Sequence, residues 1–331
     1  MPPILLDGGF SRELIRLGAP FAQPEWSALS LLSPESHTFV SQAHTAFARA
    51  GADILTTNSY AIVPFHIGEE RFWERGKELA SDAGRLARSV ASEEEGRRGT
   101  ERETGEDGSS AASSGLVRVA GSLPPIFGSY EPALFDASRV QEHLAVLVGG
   151  LAAWVDLWLG ETLSLIAEAE AVRTAVKRSG KPIWIAFTLD DRSEQPDSEA
   201  QAKLRGGETV AEAAAKLIEW DDVDAILFNC SKAECMLPAV KQTKAVFDAH
   251  GCKKLIGVYA NRFEPQGEDY KANAVVSTLR DDLGTDRYVE FAKNWIEAGA
   301  GIVGGCCGVG SEHIRRLGEE LVTKEHQTKG K

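Results

Sequence analysis

Two adjacent cysteines, Cys306 and Cys307, lie in the glycine-rich stretch GAGIVGGCCGVG. Successive side chains of a strand point to opposite faces, so both thiols can face one site only where the backbone leaves the strand conformation. Gly304, Gly305 and Gly308 surround the pair, and glycine accepts backbone dihedral angles that other residues resist. The stretch therefore predicts a turn that brings both thiols to one side.

A third cysteine, Cys230, ends the apolar run VDAILFNCS at 223–231. Three thiolates form a soft ligand set that suits Zn²⁺, and three protein ligands leave one position open, as in catalytic zinc sites. A thiol substrate would be held there as a thiolate. The spacing alone also allows buried cysteines that act as small apolar residues. A redox pair is disfavoured, because adjacent cysteines form a strained disulfide.

Polar residues and glycines follow several other apolar runs, and five of them are candidate substrate-binding residues. They are Asp7, Gly8, Thr57, Glu161 and Asn261. Each has a structural alternative of an ordinary kind: Asp7 precedes two glycines and could form an Asx turn, and Glu161 could cap the next helix. Threonine is common in strands for packing reasons.

Eight short apolar runs must position these residues, and segments of helical pattern separate them. The runs span residues 4–8, 52–60, 116–123, 154–161, 182–189, 223–231, 254–261 and 301–307. Nearly continuous apolar strands that alternate with amphipathic helices predict a parallel sheet covered by helices. Eight such units in about 300 residues favour a single α/β domain, a closed (β/α)8 barrel of the TIM type, whose active sites lie at the carboxyl ends of the strands.

The barrel is expected to occupy residues 1–322, with two segments outside its pattern. Residues 92–115 are rich in Glu, Arg, Gly and Ser, and we expect a disordered insertion there, between the second helix and the third strand. Residues 323–331 are expected to form a flexible tail. The apolar run at 144–160 contains Asp156, and we interpret it as a buried helix and strand rather than a membrane span.

The composition excludes some classes of partner. A formal net charge of −13 and a pI near 5.1 argue against nucleic-acid binding, which needs clustered Lys and Arg. The amino terminus lacks the pattern of a secretory signal, so a cytoplasmic location is the expectation. The negative charge favours a cationic small molecule as ligand.

The chain resembles the zinc-dependent homocysteine S-methyltransferase family, in motifs distributed over nearly its whole length. These are LDGG at 6–9, GADILTTNSY at 51–60, GET at 160–162, FNCS at 228–231 and GGCCG at 304–308, followed by SEHIR at 311–315. An Asn-Cys pair followed after about 75 residues by GGCC at the last strand is the most specific of these signals.

The resemblance implies a (β/α)8 barrel in which Cys230, Cys306 and Cys307 hold zinc. It also implies that Asp7 and Glu161 receive the amino group of homocysteine, with Thr57 nearby. A buried ammonium group needs anionic partners, so this assignment agrees with the residue types.

The implied reaction is methyl transfer from a cationic donor to the sulfur of homocysteine, which gives methionine. A sulfonium donor, S-methylmethionine or S-adenosylmethionine, is our first expectation, and Tyr60, Phe127 and Tyr130 are candidate cation-π partners for it. Residues 121–135 read GSLPPIFGSYEPALF and depart from the Gly-Pro-Tyr-Gly pattern of S-methylmethionine enzymes. The alternatives are betaine or another donor, another thiol or selenol acceptor such as selenocysteine, and a non-catalytic barrel that binds zinc or thiols.

Overall fold

The computed structural model describes residues 2–104, 115–192, 201–264 and 278–322. It contains eight strands, one in each predicted run. They are β1 (Ile4–Leu5), β2 (Ile54–Thr56), β3 (Arg118–Leu123), β4 (Leu157–Leu163), β5 (Ile183–Phe187), β6 (Val223–Lys232), β7 (Leu255–Asn261) and β8 (Ile302–Val303). The first and last strands are shorter than predicted, so the adjacent cysteines lie beyond the end of β8.

The eight strands close into a barrel. Neighbours pair in parallel in the order β1-β8-β7-β6-β5-β4-β3-β2. A parallel bridge between Leu6 and Ile54 joins the two ends of this order, with backbone bonds from Asp7 N–H to the Ile54 carbonyl at 3.2 Å and from Asp53 N–H to the Leu5 carbonyl at 2.7 Å. The predicted (β/α)8 barrel is confirmed.

Helices follow every strand. They are α1 (Phe10–Arg16), α2 (His37–Arg49), α3 (Pro64–Ile67), α4 (Glu69–Thr104), α5 (Val140–Leu151), α6 (Ile166–Val176), α7 (Val210–Ile218), α8 (Ala233–Ala249), α9 (Thr285–Glu297) and α10 (Ser311–Leu317). Short 3₁₀ helices lie at Trp26–Ser30, Pro34–Ser36 and Pro132–Leu134, and a π-helical turn follows α10 at Gly318–Val322. A capping box begins α7, where Thr209 accepts from the N–H of Glu212 at 3.1 Å.

The core has two layers because each strand is buried on both faces. One layer lies inside the barrel and draws on all eight strand segments; it includes Leu6, Ile54, Trp184, Leu227 and Ile302. The larger layer lies between the sheet and the helices. A packed interior leaves the chemistry to the mouth of the barrel.

The predicted disordered insertion is wrong over residues 92–104, which continue helix α4. Charged pairs at helical spacing stabilise this part: Glu94 is buried and accepts from Arg98 Nε at 3.0 Å, and Arg98 also donates to the Ala48 carbonyl at 2.7 Å. Pairs of this type support a helix that has few large apolar residues. Residues 105–114 of the predicted insertion and the predicted tail at 323–331 lie outside the described residues.

The apolar run at 144–160 divides, as expected, between the end of α5 and the start of β4. Over the described ranges, the chain contains no helix with the length and apolar character needed to cross a membrane.

Helices α4 and α5 touch at Gly150, and this contact generates a stability prediction. A Cβ atom on Gly150 would lie 2.5 Å from the Lys77 carbonyl oxygen and 2.7 Å from the Ala80 Cβ. Because backbone cannot move aside cheaply, we expect Gly150→Ala to lower the free energy of unfolding by about 1–3 kcal/mol. Urea unfolding followed by circular dichroism measures this change.

The adjacent Gly149 provides the matched control. A Cβ atom there would meet only the flexible side chain of Lys77, at 3.5 Å or more. Gly149→Ala is expected to raise the free energy of unfolding by up to about 1 kcal/mol through helix propensity. Equal effects of the two substitutions would contradict the close contact between α4 and α5.

Candidate active site

Three thiols meet at the mouth of the barrel. The Sγ atoms of Cys230, Cys306 and Cys307 all lie within 4.8 Å of one another. The Cys230–Cys307 and Cys306–Cys307 sulfur distances are 3.8 and 4.0 Å. Residues that are 77 positions apart in the chain are thus in contact because β6 and β8 both end at this mouth.

The backbone after β8 explains how adjacent cysteines can face one site. Cys306 N–H still bonds to the Ala260 carbonyl of β7 at 2.9 Å, and the Cys306 carbonyl then accepts from Val309 N–H at 3.0 Å. The chain therefore turns at Cys307, and Gly308 has a left-handed φ of +82°. The predicted turn is present.

The sequence predicted that Gly304 and Gly305 provide backbone freedom, but the structure shows a different reason for these glycines. Neither has a positive φ. A Cβ atom on Gly304 would lie 2.5 Å from the Cβ of Leu6, and one on Gly305 would lie 2.1 Å from a methyl carbon of Val309. These two glycines are needed because neighbouring chain segments pass close to them.

The cluster has the donor chemistry and spacing for zinc. Tetrahedral Zn²⁺ with Zn–S bonds of about 2.3 Å places its sulfur ligands about 3.8 Å apart, close to the sulfur distances of 3.8 and 4.0 Å found here. Cys235 and Cys252 are free cysteines on α8 and just after it, and neither belongs to the cluster.

The thiols perturb one another because they are buried together. Hydrogen bonds from the Cys230 and Cys306 thiols hold the pKa of Cys307 well below its usual range. Hydrogen bonds with the other two sulfurs, together with burial, raise the pKa of Cys306. The cluster therefore contains one sulfur that gives up its proton far more readily than an ordinary thiol, which favours metal binding.

Tyr130 belongs to this cluster, although the sequence indicated it only as a candidate cation-π partner. Its hydroxyl lies 2.7 Å from the Cys230 Sγ, its φ is +65°, and the Arg205 guanidinium lies 5.5 Å from its ring centroid. No local pattern in residues 121–135 predicts this contact, because it joins residues that are 100 positions apart.

Asp7 follows β1 and is directed into the same mouth. It is 4% exposed, and its carboxylate accepts two bonds from Thr56, from the N–H at 2.6 Å and from the hydroxyl at 2.9 Å. Burial raises the pKa of Asp7 to about 7, against the lowering effect of those bonds. A buried carboxylate of this kind is stabilised in its charged form by a cation.

Glu161 lies within β4 and has a similar environment. One carboxylate oxygen accepts from the Ser122 hydroxyl, and the other accepts from the Tyr259 hydroxyl at 3.2 Å. Burial raises the pKa of Glu161 to about 7. Tyr259 was missed in the sequence, although a tyrosine in an apolar strand needs a polar partner for its hydroxyl.

The other candidate residues differ in their positions. Thr57 lines the cavity, but its hydroxyl accepts from Ser122 N–H at 3.0 Å and bonds to the Ser59 hydroxyl at 2.8 Å. Gly8 also lines the cavity, and a Cβ atom there would lie 2.3 Å from the Val309 carbonyl oxygen. Asn261 is not among the described residues that line it.

Asn261 instead ends β7, where its side-chain oxygen accepts from Phe263 N–H at 3.2 Å. Among the aromatic candidates, Tyr60 and Tyr130 line the cavity. Phe127 packs against the His143 ring at 5.4 Å between centroids, outside the described lining. The structure therefore places two of the three aromatic candidates at the site.

Aromatic rings form much of the remaining cavity wall. Seven rings line it together with the carboxylates and thiols: Phe10, Phe21, Trp26, Tyr60, Tyr130, Tyr259 and Phe263. Arg12 also lines it, with its guanidinium 5.9 Å from the Phe263 ring centroid. The residues other than the tyrosines were not singled out in the sequence, because they lie in loops, in α1 and in the first 3₁₀ helix, away from the strand-end motifs.

Comparison with known proteins gives matches over nearly the whole chain. The family model described as homocysteine S-methyltransferase matches residues 4–321. The chain is 30% identical over 322 residues to the homocysteine S-methyltransferase of Escherichia coli (strain K12), which covers 92% of this chain and 90% of that protein. It is also 30% identical over 341 residues to the betaine-homocysteine S-methyltransferase of Drosophila melanogaster, covering 93% and 91%.

A solved structure agrees with these matches. The crystal structure of the metallated homocysteine methyltransferase MmuM from Escherichia coli aligns with a TM-score of 0.69 and 25% identity, covering 96% of both chains. The family model and the 30% identical relatives thus agree with the strand-end motifs and with the fold. The chain belongs to the homocysteine S-methyltransferase family and is a methyltransferase.

Proposed function

We propose that this protein transfers a methyl group from a sulfonium compound to the sulfur of homocysteine at a zinc site formed by Cys230, Cys306 and Cys307. The observation that carries the proposal is that the three thiols share one cavity with the buried carboxylates of Asp7 and Glu161. One end of this cavity suits a soft metal and a thiolate, and the carboxylates suit an ammonium group.

The three cysteines would hold the metal through their Sγ atoms. A zinc ion bound by three thiolates leaves one position open and lowers the pKa of a thiol that occupies it. The low pKa of Cys307 and the close spacing of the sulfurs support this assignment.

Asp7 and Glu161 would bind the amino group of homocysteine. Both carboxylates are buried, both have a pKa near 7, and each keeps acceptor capacity beyond its existing bonds. An ammonium group at this position stabilises the ionised form of both, so binding is favoured most where the carboxylates are already ionised. The amino group of selenocysteine would fit the same pair, so that amino acid is the alternative acceptor.

The aromatic wall would receive the positively charged donor, since a cation is attracted to the faces of such rings. The sulfur of homocysteine attacks the methyl carbon in line with the departing sulfonium sulfur. The new sulfur–carbon bond gives methionine. The broken bond leaves its electron pair on the donor sulfur, which becomes a neutral thioether. Betaine is the alternative donor.

A parallel assay of donors tests the proposal directly. The zinc-loaded protein is incubated with homocysteine and, in separate reactions, with S-methylmethionine, S-adenosylmethionine or betaine, and methionine is quantified. We expect turnover with one of the two sulfonium donors. Turnover with betaine alone would replace the donor assignment. Zinc binding without methionine from any donor would favour a different acceptor or a non-catalytic role.

The metal assignment predicts the behaviour of Cys307→Ala. Removal of one of the three sulfur ligands leaves too few for a stable site, so bound zinc is expected to fall to near zero after dialysis and methionine formation to be lost. Metal content is measured by mass spectrometry of the acid-digested protein, alongside the methionine assay.

Cys252→Ala is the control for this experiment, because Cys252 is a free cysteine outside the cluster. It is expected to retain zinc and activity. Full activity of metal-free Cys307→Ala protein would refute the proposed zinc site.

The carboxylate assignment predicts a separate effect on homocysteine binding. Asp7→Asn and Glu161→Gln each remove one charge from the ammonium site, so each is expected to raise the KM for homocysteine about 10- to 100-fold while zinc remains bound. The measurement is made at pH 8, above the pKa of about 7 of both groups, where the wild-type carboxylates are mostly ionised.

Glu168→Gln is the matched control. Burial raises the pKa of Glu168 to about 7 as well, but this carboxylate caps α6 and accepts from Ser164 N–H at 2.6 Å, and it is not among the lining residues described. Its substitution is expected to change stability and not KM.

The pH dependence of methionine binding provides an additional readout, because methionine has no thiol proton that could titrate. Its binding to the wild type should weaken as pH falls below about 7 and the two carboxylates become protonated. Binding that is independent of pH would contradict the assignment.

A further inference from the structure

Two strand residues at the site adopt a backbone conformation that residues other than glycine rarely adopt. Thr162 in β4 has a φ of +60°, and Cys230 in β6 has a φ of +51°. Left-handed φ angles are unusual for residues with a side chain and most unusual for β-branched residues such as threonine. Such conformations persist only where the surrounding structure holds them.

Both residues lie where a strand departs from regular pairing. The register of β4 against β5 shifts between Gly160 and Leu163, and that of β6 against β7 shifts between Asn229 and Lys232. Irregularities of this kind redirect side chains next to active sites. Here they accompany Glu161, which immediately precedes Thr162, and Cys230 itself.

One side chain connects the two irregularities. The Asn229 side-chain oxygen accepts from Thr162 N–H at 2.9 Å, and its NH₂ group donates to the Thr162 hydroxyl at 2.9 Å. Asn229 is 0% exposed and Thr162 is 1% exposed. We call this pair of hydrogen bonds the Asn229 bracket. It spans β5, which lies between β4 and β6 in the sheet.

The bracket extends to two loops of the cavity. The Thr162 side chain also acts on Tyr60, whose pKa it lowers against the larger raising effect of burial, and the Tyr60 hydroxyl lies 2.6 Å from the Ser129 hydroxyl. The loops after β2 and β3 are thereby joined to each other beside Thr162. Buried networks whose members are all hydrogen-bonded make an arrangement rigid.

We propose that Asn229 is a positioning residue, which fixes the relative orientation of Glu161 and Cys230 through the bracket to Thr162. Because Asn229 directly precedes Cys230 and Thr162 directly follows Glu161, the bracket holds the backbone on which each of the two side chains is mounted. The asparagine would touch neither the metal nor homocysteine. The expected effect on homocysteine binding rests on the proposed function, whereas the expected effect on metal binding rests on the geometry of the three thiols.

Asn229→Ala tests the bracket with two separate readouts. The first is the Kd of homocysteine for the zinc-loaded protein, measured by calorimetry. The second is the affinity of the metal-free protein for Co²⁺, measured from the absorption of the cobalt–thiolate complex in competition with a chelator. Loss of an outer partner of a metal site costs about 10- to 100-fold, so we expect each affinity to weaken by about tenfold or more.

Substitutions of the partner threonine provide the matched series. Thr162→Val keeps the shape and the N–H but removes the hydroxyl, so it is expected to weaken both affinities by less than Asn229→Ala does. Thr162→Ser restores the hydroxyl and should recover most of the loss. Thr243→Val is the control, because Thr243 is also 0% exposed but lies on α8 and is not among the lining residues described. The double variant Asn229→Ala with Thr162→Val should be no weaker than Asn229→Ala alone, because the bracket is already lost.

The outcomes separate this inference from the proposed function. Wild-type protein that binds Co²⁺ but not homocysteine would contradict the proposed function, while the Co²⁺ measurements still decide the bracket. If folded Asn229→Ala protein binds homocysteine and Co²⁺ as tightly as the wild type does, the role of the bracket is overturned. It is also overturned if the effects of the two substitutions add in the double variant. If Asn229→Ala does not fold, the comparison of Thr162→Val with Thr162→Ser and Thr243→Val decides the matter, and equal affinities across those three would also overturn it.

Discussion

Closure of the barrel at β1 is the constraint on which the site depends. The first strand bonds to the last, with Leu6 N–H donating to the Val303 carbonyl at 2.8 Å and Gly305 N–H donating to the Asp7 carbonyl at 3.0 Å. These bonds bring residue 7 beside the cysteines near residue 306. Side-chain volume is restricted at this seam, since a Cβ atom on Gly9 would lie 2.5 Å from the Cys306 carbonyl oxygen. Gly8, Gly9 and Gly304 are therefore required by the same close contact between the two ends of the barrel.

The polar groups at the mouth are held in conditions that ordinarily disfavour their charge. Asp7 and Glu161 are buried, and their pKa values are raised to about 7 because burial outweighs their hydrogen bonds. Groups of this kind are common where a ligand completes the electrostatics of a site. The ligand expected from this arrangement carries positive charge near the carboxylates and a soft atom near the sulfurs.

The backbone at the mouth of the barrel also adopts conformations that are ordinarily unfavourable. Tyr130, Thr162 and Cys230 all have left-handed φ angles, and all three line the cavity. A left-handed conformation costs of order 1–3 kcal/mol for each such residue, and it persists where surrounding contacts determine it. The barrel, whose strands are paired and buried on both faces, is a rigid frame that can hold such residues.

The sequence by itself determined the architecture and the types of chemistry. Alternation of apolar runs with amphipathic segments is a local, periodic signal, and it located all eight strands. The three cysteines and the strand-end carboxylates were visible because their residue types and positions are chemically distinctive. The helical continuation over 92–104 was not visible, because it is stabilised by charge pairs and by a contact from Arg98 to the Ala48 carbonyl. Only the tertiary structure decided that Tyr130 meets Cys230, that Tyr259 meets Glu161 and that Asn229 meets Thr162. These pairs are 100, 98 and 67 positions apart. Contacts at that separation depend on strand register and barrel closure, which no local pattern of residues specifies.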